Sequence, residues 1–201
     1  MGVKGWQAME ETLAHIPSSH FTIADAKRGD IGNTSAHYAK TFFEILPFDA
    51  ITVAPYMGKD SLDAFLAYKN KFTIVLGLTS NEGSQNFQQQ KLSSGEYLYQ
   101  SVLKQVANWG TAEQIMFVVG ATKAQELENI RSIIPHHFLL VPGVGAQGGS
   151  LADVTKYGKN ESVGLLVNAS RAIIFASSEN DFAEKANRAA AAYAAEMKGL
   201  L

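Results

Sequence analysis

The sequence predicts an α/β protein built on a parallel sheet, and three observations lead there. Short runs rich in β-branched and aromatic residues alternate with segments of helical periodicity along the whole chain. The runs are apolar throughout instead of alternating with polar residues, so both faces of each strand should be buried, as in a parallel sheet. The pattern repeats about every 25–30 residues, one βα unit each, with no linker or low-complexity tract.

The elements follow in order. Trp6, Met9, Leu13 and Ile16 share one face of a helix over 6–16. A strand follows at 21–25, then a helix at 33–46 carrying Tyr38, Phe42, Phe43 and Leu46. The run "AITVAP", 50–55, is the second strand, followed by a helix at 60–69. "FTIVLGL", 72–78, is the third; the polar segment 82–94 after it reads as a mobile loop before a helix at 95–108. "IMFVVGA", 115–121, precedes a helix at 123–133, and "FLLVPG", 138–143, precedes a short one at 150–157. "VGLLVNA", 163–169, is the sixth strand, and the Ala-rich end from Asp181 is a long helix that serves packing. Six strands fit an open doubly wound sheet. They also fit a TIM (β/α)8 barrel lacking its first strands, since a complete barrel needs eight and roughly 250 residues.

Composition narrows the function classes. The chain has 201 residues, 46% hydrophobic, enough for one domain with a sizeable core. A net charge of −2 and a pI of about 6.2 leave no basic stripe for nucleic acid. The absence of cysteine removes disulfides and thiolate metal sites, and fits a reducing compartment. No apolar run reaches the roughly 18 residues of a membrane span, and the opening "MGVKGWQAME" lacks the apolar core of a signal peptide. A soluble, cytoplasmic protein is expected. His15, His20, His37, His136 and His137 show no metal spacing, so no metal is expected.

Chemistry concentrates at strand ends. In "ADAKRGDIGNT", Asp25 and Lys27 are two apart, so a regular strand points both to one face. Asp30 and Arg28 lie close by, Arg28 without an evident task. A lysine between carboxylates is held charged and aimed, able to stabilise a carbanion and then protonate it. A purely structural ion-pair cluster would look the same at this level. The loop "PGVGAQGG" contains Gly143-x-Gly145-x-x-Gly148, the form of a dinucleotide fingerprint. The acidic residue that should follow about 20 positions later is missing. A phosphate site fits better, with glycines admitting backbone N–H groups to an oxyanion and Gln147 adding an amide. A tight turn that binds nothing is the alternative. Arg171 in "NASRAII" can clamp the same phosphate, or serve as a surface arginine. Ser80 in "LTSNEGS" can bond a heterocycle edge, a weak signal by itself.

Taken together, "DAKRGDIGNT", "LTSNEG", "PGVGAQGG" and "NASR" resemble the orotidine 5'-phosphate decarboxylase family, in its bacterial type 2 branch, in family order and over essentially the whole chain. The resemblance implies a TIM (β/α)8 barrel acting as a homodimer that converts orotidylate to UMP and CO2 without metal or organic cofactor. It implies that Lys27 protonates C6 and that Asp25 lies near the departing carboxylate. Asp30 and Thr34 would reach into the neighbouring subunit's site, towards the ribose. Ser80 would read the pyrimidine edge, and Gln147, Gly148 and Arg171 would hold the phosphate.

The family pattern also includes a ribose-binding aspartate on strand one and a second lysine at the end of strand two. Neither segment is found here, so the chain is expected to represent barrel strands three to eight, a single barrel domain over 1–201 that is truncated at its N-terminus. Unless another chain or a further segment fills the gap, instability is expected, because two sheet edges are exposed, and severe loss of activity, because without the second lysine Asp25 and Asp30 share one ammonium. Two other readings stand beside the decarboxylase. One is a non-catalytic fragment that at most binds a nucleoside phosphate. The other is a related sugar-phosphate decarboxylase, against which "DIGNT" and Ser80 argue. A Schiff base at Lys27 is disfavoured, since a protonated lysine is a poor nucleophile.

Overall fold

The structure, a computed structural model, describes residues 2–121, 125–145 and 148–201. The start of the helix expected over 123–133, and Gln147, lie outside the described residues. The chain divides into two compact units, Met1–Leu76 with Trp109–Ile115, and Gly77–Asn108 with Met116–Leu201. The six strands form one sheet in sequence order. A doubly wound sheet reverses its strand order part-way, so this order removes the open-sheet alternative and is the order a (β/α) barrel requires.

The first unit holds α1 (Gly2–His15), β1 (Ile23–Arg28), α2 (Gly32–Lys40), β2 (Ala50–Val53), α3 (Lys59–Leu66) and most of β3 (Phe72–Leu78). β1–β2 and β2–β3 are parallel, which the intervening helices make possible. Ile51, Val53, Leu62, Phe65 and Ile74 are fully buried and form the core. At the entry to β1 the backbone N–H and hydroxyl of Thr22 both donate to Asp49 Oδ2, each at 2.8 Å. That fork sets Ile23 opposite Ala50. The helix expected over 33–46 ends instead at Lys40 and continues as one wider turn, Thr41–Ile45. There the Leu46 N–H reaches the Thr41 carbonyl, 2.8 Å away, one residue further back than in an α-helix. The extra residue lets Phe42 and Phe43 both turn inward.

The second unit holds α4 (Leu98–Ala107), β4 (Ile115–Val119, from Met116), α5 (Glu126–Ile133), β5 (Leu139–Pro142), α6 (Leu151–Gly158), β6 (Leu165–Asn168), α7 (Ser170–Ile174) and α8 (Phe182–Leu200). Leu103, Phe117, Leu127, Ile130, Leu139 and Val154 build its core. The Ser150 hydroxyl caps α6 by accepting from the Asp153 N–H at 3.2 Å. Arg131 of α5 donates to four backbone carbonyls, those of Gly158 (2.6 Å), His137 (2.6 Å), Gly164 (2.7 Å) and Ile134 (3.3 Å).

Segment 82–94 differs from the mobile loop expected. It opens with a 3₁₀ turn, Glu82–Asn86, and Lys91 bridges to Tyr97. The Gln88 side chain accepts from the Thr79 N–H at 2.7 Å, fastening the segment to the end of β3.

Candidate active site

The end of β1 carries the charged array. Lys27 Nζ lies 2.6 Å from Asp25 Oδ1, and the two side chains are 51% and 50% exposed. An ion pair that open to water stabilises a fold by only about 0–1 kcal/mol, so fold stability is a poor reason for its presence. Strand alternation is not what brings the two together. Ala24 faces Ile51 and Arg28 faces Val53, so β1 advances four residues while β2 advances two. The bulge contains Asp25 and Lys27, and Lys27 has φ +47°, a region few side chains occupy. Bulges of this kind re-aim side chains beside functional sites.

Thr52 of β2 stands opposite the bulge, fully buried. Its hydroxyl accepts the Lys27 N–H at 2.9 Å and donates to Asp25 Oδ1 at 3.0 Å. The sequence pattern of the second strand does not single out Thr52. The available signal was a lone hydroxyl in the apolar run "AITVAP" beside a charged strand. Arg28, without a task in the sequence, also has a place. Its guanidinium lies 5.0 Å from the Tyr38 ring and 5.7 Å from the Phe42 ring, pinning β1 to α2 and its final turn. A cavity of about 440 Å³ opens beside Asp25, lined also by Trp6, Met9, Ala24 and Phe42.

Asp30 is not joined to this pair among the described residues. Its Oδ1 accepts the Ile31 N–H at 2.8 Å, shaping the loop into α2. Thr34 is exposed in the first turn of α2. Ile31 (58% exposed), Tyr56 (83%) and Met57 (45%) are apolar side chains exposed beyond the ends of β1 and β2, and a Cβ at Gly29 would lie in ordinary contact with Met57.

The second unit carries the remaining candidates, each just beyond the C-terminal end of its strand. Ser80 follows β3 and packs against Gly120, where a Cβ would sit 2.7 Å from its own. After β5, Gly143, Gly145 and Gly148 have φ of +97°, +75° and +84°, values that favour glycine. The loop folds on itself: Gly145 N–H donates to the Gly149 carbonyl (3.0 Å), Gly148 to Gly145 (2.8 Å) and Gly149 to Gly143 (3.2 Å). Arg171, in the first turn of α7, is exposed, and its guanidinium has no hydrogen bond or ion pair among the described residues. Beside it the Ser170 hydroxyl donates to Asn168 Oδ1 at 2.8 Å. No group of three His, Asp or Glu side chains among the described residues could hold a metal ion.

Strands in sequence order, with polar and charged groups at their C-terminal ends, define the (β/α) barrel class of enzymes. A model described as the Orotidine 5'-phosphate decarboxylase / HUMPS family matches residues 4–186, and the chain belongs to that family. The orotidine 5'-phosphate decarboxylase of Flavobacterium johnsoniae is 55% identical over 203 residues, covering 100% of this chain and 74% of that protein. That of Bacteroides fragilis (strain YCH46) is 56% identical over 193 residues, covering 94% of this chain and 70% of that one. Among solved structures, Leishmania donovani OMP decarboxylase matches with a TM-score of 0.86 at 34% identity, over 99% of this chain and 76% of that one.

Proposed function

We propose that the chain decarboxylates orotidine 5'-phosphate to UMP and CO2, the last step of UMP synthesis, with Lys27 as the proton donor to C6. The observation that carries this is the 2.6 Å contact between Lys27 Nζ and Asp25 Oδ1 on a bulged strand end, in a chain of the decarboxylase family. The C6–carboxylate bond breaks, its electron pair stays on C6, and CO2 departs. The Lys27 ammonium then gives C6 its proton and is recharged from solvent. The C6 carbanion gains little resonance, so catalysis is electrostatic, a fixed cation where negative charge develops. Asp25 stands near the departing carboxylate. The chemistry calls for neither metal nor organic cofactor.

Ser80 reads the pyrimidine edge, while Arg171, Gln147 and Gly148 hold the phosphate. The phosphate does not react, and its binding energy serves to order the site. The active form is a homodimer in the cytoplasm, with Asp30 and Thr34 serving the neighbouring subunit's ribose. The exposed apolar side chains Ile31, which follows Asp30, and Tyr56 and Met57, which follow β2, support such an interface.

Loss of orotidylate absorbance on adding the chain tests the proposal. Whatever turnover the chain supports is expected to fall by about 10³-fold or more in Lys27→Ala, since removing a group that acts only in the transition state lowers kcat. Turnover that survives in Lys27→Ala would remove Lys27 from the chemistry. UMP binding by a folded chain without turnover would favour a binding role instead.

A further inference from the structure

The bulge in β1 creates a problem that one buried side chain solves. Four residue steps from Ala24 to Arg28 run against two from Ile51 to Val53. The register therefore slips across Asp25, Ala26 and Lys27. A backbone N–H withdrawn from its ladder needs another acceptor. The Lys27 N–H finds it in Thr52 Oγ1, at 2.9 Å. Lys27 is also held at φ +47°, a conformation a side-chain-bearing residue keeps only when its surroundings impose it.

The Thr52 hydroxyl has one proton to give. Its acceptors are Asp25 Oδ1 at 3.0 Å and the Ala24 carbonyl at 3.5 Å, and the shorter is the better bond. One hydroxyl thus accepts from the backbone of Lys27 and donates to the carboxylate oxygen that Lys27 Nζ touches. Both ends of the Asp25–Lys27 pair are tied to a single atom on the neighbouring strand. Thr52 is fully buried on a β-branched side chain with few rotamers, so that atom is a fixed reference point.

We propose that Thr52 is the positioning residue of the Asp25–Lys27 pair, holding the bulge in the conformation that aims the Lys27 ammonium. The proposal rests on the reading of Lys27 as proton donor. Thr52 takes no part in the bond changes and acts through the two residues that do.

Thr52→Val nearly preserves the shape and removes both hydrogen bonds. Thr52→Ser keeps the hydroxyl. The readouts are kcat and KM for orotidylate, and hydrogen exchange of the Lys27 backbone amide by NMR, with the Ile74 and Val75 amides of β3 as internal references. In Thr52→Val, kcat is expected to fall about 10- to 100-fold with KM within about twofold, the mark of misalignment in the chemical step. The Lys27 amide should exchange about tenfold faster or more, having lost its acceptor, while Ile74 and Val75 are unchanged. Thr52→Ser should restore both properties. An unchanged Lys27 amide, an unchanged kcat, or equal losses in the valine and serine variants would each overturn the proposal. So would faster exchange across all of β3, which marks a general loss of packing. Lys27→Ala separates the two claims. Full turnover there overturns the proton-donor reading, whereas a dead Lys27→Ala beside a fully active Thr52→Val overturns the positioning role alone.

Discussion

At the scale of single residues, the proposed phosphate grip and the glycine loop that carries it contain two kinds of position, and substitution separates them. Arg171 is exposed and its guanidinium has no partner among the described residues, so no described contact depends on it. Arg171→Ala is expected to leave thermal stability unchanged and to raise KM for orotidylate by about 10- to 100-fold, the loss of one charge-assisted contact. Thermal melts beside steady-state kinetics check this, and an unchanged KM would take Arg171 off the phosphate. Gly145 is the opposite case. It has φ +75°, and a Cβ there would lie 2.3 Å from the Tyr193 hydroxyl oxygen of α8. Gly145→Ala should cost stability, roughly 1–2 kcal/mol for the left-handed backbone alone, with a further loss as Tyr193 is displaced. The melting temperature of Gly145→Ala should therefore fall, where that of Arg171→Ala does not.

At the scale of elements, the strands were legible because burial on both faces writes a continuous apolar run. β2 and β4 are buried at every position, and the sequence pattern had no polar residue to hide except Thr52. The site was legible in part. Asp25 and Lys27 were paired from their spacing, yet the bulge that joins them comes from the β1–β2 register, which β1 alone does not encode. α7 was missed because five residues are too few to show a period. The wider turn after α2 was missed because Tyr38, Phe42, Phe43 and Leu46 suit either helix. The 82–94 segment was read from polar composition, whereas its order comes from Gln88 reaching Thr79 nine positions back. Two elements carry testable strain and support. Val163 has φ +69° in the tight turn from Asn160 that leads into β6, an uncommon state for a β-branched residue. Asparagine tolerates it, so Val163→Asn should add about 1 kcal/mol, or about 2–4 °C in melting temperature for a chain of this size. Arg131 is the converse. Burial draws its pKa down to about 10, still far enough above neutrality for the guanidinium to remain charged. Its fan of donors satisfies carbonyls just after α5, in α6 and in the turns before β5 and β6. Arg131→Met should cost roughly 2–4 kcal/mol in denaturant unfolding, and Arg131→Lys should recover little, because an ammonium cannot match the planar fork.

At the scale of the whole molecule, charge and topology leave assembly as the property that most constrains function. A net charge of −2 offers little long-range repulsion between copies. Ile31, Tyr56 and Met57 are exposed apolar side chains beyond the ends of β1 and β2, and the Asp30 carboxylate next to Ile31 is turned to its own loop and not to Lys27. If Asp30 serves the neighbouring subunit's site, the two residues work in different chains, and their defects can complement. Lys27→Ala and Asp30→Ala should each be nearly inactive alone. Mixed in equal amounts and allowed to exchange subunits, half the dimers of a two-fold assembly are hybrids. Each hybrid holds one site with both residues intact, so about a quarter of wild-type activity should return. Both single variants should keep the native sedimentation coefficient, which separates a chemical defect from a failure to assemble. If the mixture stays inactive after demonstrated exchange, Asp30 acts in its own subunit, and its carboxylate must then leave the Ile31 N–H to do so.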